Sequence, residues 1–124
     1  MKFALDDGTQ GYAIQSYSEG VVVVNNRHLR RSLIVMPDQL IDDWRPQAFA
    51  ELSDSDFAGI LQLKPDIVLL GTGSRQRFPQ SSLYRELVSA GIGLEIMGTP
   101  AACRTYNILM SEGRRVAAAM LLAD

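Results

Sequence analysis

At 124 residues the chain has room for one domain, read here as residues 1–124, with a core of its own but not for two. Its 47% hydrophobic and 21% charged residues match an ordinary soluble globular protein, and a net charge of -2 gives no basic surface for nucleic acid. A single cysteine, Cys103, excludes an internal disulfide framework, and one histidine among scattered carboxylates offers no metal-ligand spacing.

The start, Met1-Lys2-Phe3-Ala4-Leu5-Asp6-Asp7, turns acidic at once and reads as neither a secretory signal nor a transit peptide. No apolar run approaches the roughly 20 residues that a membrane span requires. The expected setting is the cytoplasm, in a reducing compartment and without direct membrane insertion.

The first third predicts β structure. Tyr12 to Tyr17 alternates loosely, Ser18-Glu19-Gly20 is a turn, Val21 to Val24 is a β-branched run, and Asn25-Asn26 turns the chain again. Ser32 to Met36 is the next strand, closed by Pro37. Between them Arg27, His28, Arg30 and Arg31 form a basic cluster, readable as an anion patch or, more plainly, as a solvated hairpin flank. Residues 37 to 56 carry helix-breaking Pro37 and Pro46 and the turn-favouring Asp42, Asp43, Asp54 and Asp56, and are the least readable part of the chain. Trp44 reads as a residue at the rim of the core. The paired aspartates admit an acid/base role only if something fixes their separation.

Ser53 to Leu63 predicts a short helix capped by Ser53 or Ser55, with Phe57, Ile60 and Leu61 on one face. Lys64-Pro65 ends it. Ile67-Val68-Leu69-Leu70 then runs without a polar residue into Gly71-Thr72-Gly73-Ser74, as a strand buried on both faces does in a sheet covered by helices. A helix over Leu83 to Ala90, stopped by Gly91, leads to a strand over Ile92 to Met97 with Leu94 and Ile96 on one face. Gly98-Thr99-Pro100 starts another helix, with Thr99 as its cap, Pro100 in the first turn and an inward stripe of Ala102, Tyr106 and Leu109. Val116 to Leu122 is alanine-rich, which favours helix, while the βαβα register favours a strand; the register is followed here. The fold class is α/β, a β-rich N-terminal half followed by βαβαβ.

Two stretches carry candidate chemistry. Gly71-Thr72-Gly73 supplies G-x-G, but Gln76 stands where a dinucleotide fingerprint needs glycine, and no P-loop triplet is present. The loop amides of Gly71, Thr72, Gly73 and Ser74, with Arg75 and Arg77, suit a carboxylate or phosphate; the bland reading is a tight turn off a buried strand. The start of the helix at Thr99 would face the same crevice, with Arg104, Thr105 and Asn107 unusually polar for a helix that also supplies core. Cys103 lies in its first turns beside Arg104, a setting that lowers a thiol pKa. The lone histidine, His28, lies in a distant hairpin, so a buried structural thiol is the plainer reading. Glu112, Arg114 and Arg115 at the helix stop read as a partner-facing cluster or as a complement to the helix dipole.

The motifs Pro65 to Gly73, Ala90-Gly91-Ile92, Thr99-Pro100-Ala101-Ala102-Cys103-Arg104-Thr105-Tyr106-Asn107-Ile108-Leu109 and Glu112 to Ala119 together resemble a known family. It is the small domain shared by mitochondrial respiratory complex I assembly factor 3, the adipogenesis-associated domain proteins of animals, and many uncharacterised bacterial and archaeal proteins. The resemblance covers nearly the whole chain and is most specific in the C-terminal half. It implies a three-layer α/β fold around a central mixed sheet of about five strands, and a strand at Val116 to Leu122. It implies no catalytic activity, no catalytic residue and no cofactor. It implies instead a non-enzymatic module that binds a protein partner during complex assembly, here in a bacterial cytoplasm. The alternative is a small-anion or nucleotide-binding protein using the Gly71–Gly73 loop and the Thr99 helix.

Overall fold

In a computed structural model describing residues 11–124, the N-terminal turns build a three-stranded antiparallel sheet of β1 (Ile14–Ser18), β2 (Val21–Val24) and β3 (Arg27–Leu29). Asn25 and Asn26 both hold left-handed backbone, φ 47° and 70°, the geometry that two-residue hairpin turns demand. Asn25 also accepts the Ala13 N–H on Oδ1 at 2.9 Å, so the turn side chain fastens the chain entering β1. The basic segment is more than a hairpin flank. Arg27 and His28 pair with Val24 and Val23 as part of β3. Arg27 and Arg31 are held by Asp42 and Asp43, which spends those aspartates on ion pairs.

The main sheet has the order β5-β4-β8-β6-β7 and contains β4 (Leu33–Met36), β5 (Gln39–Ile41), β6 (Ile67–Thr72), β7 (Gly93–Met97) and β8 (Val116–Leu121). β8 lies at its centre, parallel to β6 and antiparallel to β4. β5, which the sequence reading did not anticipate, returns from β4 around Pro37-Asp38, with Met36 opposite Gln39. Its three residues are too few to show a period.

Every residue of β8 is buried. Ala117, Ala119 and Leu121 pack with α1 (Asp54–Gln62) and α2 (Arg85–Ser89), while Val116, Ala118 and Met120 pack with α3 (Thr99–Ser111) and the small sheet. That two-residue alternation places one helical layer on each face and completes a three-layer α/β fold. Small side chains in the central strand let the helices sit close. Trp44 belongs to the core on the α1 side and is almost wholly buried.

α1 is fixed at its start by Asp56, whose carboxylate accepts the Ser53 N–H at 2.9 Å and a two-pronged contact from Arg45 at 3.0 and 2.6 Å. Burial pushes the Asp56 carboxyl up, but Arg45 and Ser53 outweigh it and its pKa is lowered overall. A carboxylate more acidic in the folded chain contributes stability above its unfolded pKa and loses it as pH falls through the folded value. Urea midpoints are therefore expected to hold above about pH 5 and fall below about pH 4. Asp56→Asn should flatten that acid limb; an unchanged limb would remove Asp56 as its source.

Arg115 ties three segments together. Its guanidinium donates to the carbonyls of Leu63 and Lys64, both at 3.0 Å, which close the end of α1, and to Asp38 at 2.7 Å in the β4–β5 turn. Of the cluster read above as partner-facing or as a complement to the helix dipole, Arg115 serves as this clamp, while Arg114 stays exposed beside it.

Candidate functional site

β6 and β8 run parallel and end together, so the Gly71–Ser74 loop, the start of α3 and the last residues of the chain meet at one end of the sheet. Gly71 permits that meeting. A Cβ there would lie 2.9 Å from Thr99 Oγ1 and 3.3 Å from the Ala102 methyl group. Gly73 holds φ +96°, and a Cβ on it would strike the Asp124 carboxylate at 2.5 Å.

Thr99 does not cap α3. Gly98 occupies the cap position and Thr99 is the first helical residue. The Thr99 hydroxyl turns into the sheet end, donating to the Leu121 carbonyl at 2.6 Å and accepting the Gly73 N–H at 2.9 Å. It is drawn there because strand ends buried beneath a helix leave backbone groups that water cannot reach. The Thr99 N–H is also engaged, with the Gly73 carbonyl at 2.7 Å, and Pro100 has none to give. The helix start is thus stitched to the loop.

The rest of the loop is internally bonded as well. The Thr72 hydroxyl donates to the Arg75 carbonyl at 2.6 Å and accepts the Arg77 N–H at 3.1 Å. Ser74 gives its N–H, at 2.7 Å, and its hydroxyl to the Asp124 carboxylate. Those two bonds, with Arg75 and Arg77 nearby, hold the Asp124 carboxyl below its ordinary value. The loop therefore does receive a carboxylate, and it is one of the chain's own.

The sequence-predicted residues divide accordingly. Gly71, Thr72, Gly73, Ser74 and Thr99 come together. Arg75 is exposed in the same loop, and the Arg77 guanidinium lies 4.2 Å from the centre of the Phe49 ring in a cation–π contact. Arg104 is exposed and Thr105 half-buried further along α3. Asn107 faces the small sheet, where it accepts the Ile14 N–H at 3.0 Å and donates to the Ile14 carbonyl at 2.7 Å, as a neighbouring strand would. Tyr106 reaches the segment leading into that sheet through its hydroxyl, which donates to the Tyr12 carbonyl at 2.6 Å. The signal for both was the pair of polar groups beside a core stripe; their targets lie more than 90 residues away in sequence.

Cys103 is buried against Met120, with the two sulfurs 3.6 Å apart. Burial pushes its thiol up to about 12, against the weaker opposing pull of Arg104. A thiol so placed carries almost no thiolate at neutral pH. The folded protein is expected to resist iodoacetamide at about pH 8 and to react only once unfolded; rapid labelling of the native chain would contradict this.

Among the described residues no helix is long and apolar enough to cross a membrane. The chain is similar to bovine NADH dehydrogenase (ubiquinone) 1 alpha subcomplex assembly factor 3, at 32% identity over 110 residues, which is 87% of this chain and 59% of the bovine protein. It thus spans about three-fifths of that relative's length. A 13 kDa major membrane protein of Francisella tularensis subsp. holarctica is 28% identical over 103 residues, covering 82% of this chain and 84% of its own. The crystal structure of a Bordetella parapertussis protein, 36% identical, matches with a TM-score of 0.86 over 92% of this chain and 98% of that one. A family profile described as a protein of unknown function matches residues 14–121. The chain therefore belongs to the DUF498/DUF598 family.

Proposed function

We propose that this chain is a non-catalytic, protein-binding module of the cytoplasm that assists assembly of a membrane-bound respiratory complex. The observation that carries the reading is its likeness, along 87% of its length, to a protein named as an assembly factor of an NADH dehydrogenase subcomplex. Two features support it. The hydroxyl and amide groups at the end of the sheet are bonded to one another, and the thiol is held protonated beneath α3. The test is deletion in the native host, followed by native-gel quantification of the assembled respiratory NADH dehydrogenase and cross-linked capture of its subunits by the tagged protein. The expected result is a loss of assembled complex, restored by a plasmid copy, with those subunits enriched over an untagged control. Unchanged assembly and no enrichment would overturn it.

A second reading, a small-anion site, is favoured by one observation: the Ser74 N–H and hydroxyl already hold a carboxylate. An external anion would have to displace Asp124. Asp124→Ala, titrated with inorganic phosphate and followed by melting temperature, should gain a shift that the unaltered protein lacks; equal, flat responses would remove this reading.

A further inference from the structure

The outer edge of β7 carries no strand among the described residues. The Ile96 carbonyl on that side accepts Gln76 Nε2 at 2.9 Å. Peptide groups alternate in direction along a strand, so the Leu94 N–H and C=O and the Ile96 N–H face the same open side. Strand edges are ordinarily guarded by proline, lysine or a bulge. β7 has none of these; its guards are the single charge of Glu95 and the Gln76 side chain on the Ile96 carbonyl, and its register with β6 is continuous from Gly93 to Met97.

Two large exposed apolar side chains lie on segments that contact β7. Val88 is 61% exposed on α2, the helix that packs on β7, and Phe78 is 67% exposed two residues beyond Gln76. Leu94 and Ile96 pack on the α2 side of the sheet, and Glu95 points to the opposite face, exposed. Among the described residues the edge thus offers backbone groups without a partner strand, apolar cover on one face and the Glu95 carboxylate on the other.

We propose that β7 is the docking edge for an extended segment of a partner protein, added antiparallel as a sixth strand and carrying the pattern apolar–basic–apolar. The basic residue lies opposite Glu95, and the two apolar residues fall beside Leu94 and Ile96 and cover Val88. Backbone bonds supply the affinity and the side-chain pattern the selectivity, as in other strand-addition sites. Charge disfavours a second copy of this chain in the symmetric register centred on Glu95. Two β7 strands paired antiparallel through Leu94 and Ile96 would set Glu95 against Glu95, and like charges directly opposed destabilise a pair. This proposal rests on the protein-binding reading above and deepens it.

The probes are two short synthetic peptides of alternating valine and threonine, one with a central Val-Lys-Val and the other with Val-Glu-Val. In an NMR titration the lysine peptide should bind roughly fivefold tighter than the glutamate peptide. The Leu94 and Ile96 amides should gain hydrogen-exchange protection, and the surface variant Glu95→Lys should reverse the preference. No binding at millimolar peptide, no charge preference, protection at another edge, or sedimentation showing self-association abolished by Glu95→Lys would each overturn the proposal. If Glu95→Lys still captures respiratory subunits at the wild-type level, the edge is wrong while the module reading stands. If the unaltered protein captures none, yet binds the lysine peptide at β7, the edge stands and the assembly reading fails.

Discussion

Replacing Thr99 by valine is expected to lower the unfolding free energy by roughly 3 kcal/mol, read as a shifted urea midpoint with an unchanged slope. The two side chains have nearly the same shape, so packing is preserved and only the hydroxyl is lost. That hydroxyl serves two backbone groups, the Gly73 N–H and the Leu121 carbonyl, in a site with no solvent exposure. Valine strands both, and each stranded buried group costs about 1–3 kcal/mol. Thr99→Ser keeps the bonds and should recover most of the loss. A Thr99→Val protein as stable as the original would show that water reaches the sheet end after all.

Tyr106→Ala is expected to cost about 4 kcal/mol, the largest single effect on the fold. Tyr106 is a large, fully buried side chain at the junction of α3, the main sheet and the three-stranded sheet. Truncation opens a cavity there and releases the Tyr12 carbonyl. Tyr106→Phe separates the two contributions, since it keeps the ring and should cost about 1 kcal/mol for the lost bond. Amide exchange adds a spatial check: Tyr106→Phe should loosen the small sheet before the main one. Uniform loosening of both would mean that the hydroxyl does not anchor that sheet.

The C-terminal half was the legible part because its signals are local. Four apolar residues before a glycine turn announced β6, Gly91 and Gly113 stand at left-handed positions just past their helices, and Ala102 and Tyr106 are inward as their spacing predicts. The alanine run at β8 was ambiguous by propensity, and burial on both faces decided it as strand. β3 and β5 escaped notice because three residues show no period, and one of them carries arginine and histidine outward.

The meeting of the loop with the helix start was legible, and its wiring was not. Gly71, Gly73, Ser74 and Thr99 do meet, but which groups satisfy one another depends on where β8 ends. Thr99 has the ordinary look of a cap, and nothing local reveals that its hydroxyl serves a strand end 22 residues on. Asn107 likewise resembles a ligand-binding residue until the small sheet is laid against it.

The central place of β8 also bears on the order of folding. It follows every other element in the chain, yet it separates β4 from β6 in the sheet. Until it is made, the β4–β5 hairpin and the β6–β7 pair are two fragments with open edges and no shared layer. A chain emerging from the ribosome must therefore hold these pieces apart until Val116 to Leu121 slides between them and joins both. Such late, long-range closure is slow and leaves strand edges exposed to wrong partners in the interval. Ribosome-stalled chains ending before Val116 should accordingly be protease-sensitive throughout, with resistance acquired in one step once β8 has cleared the exit tunnel.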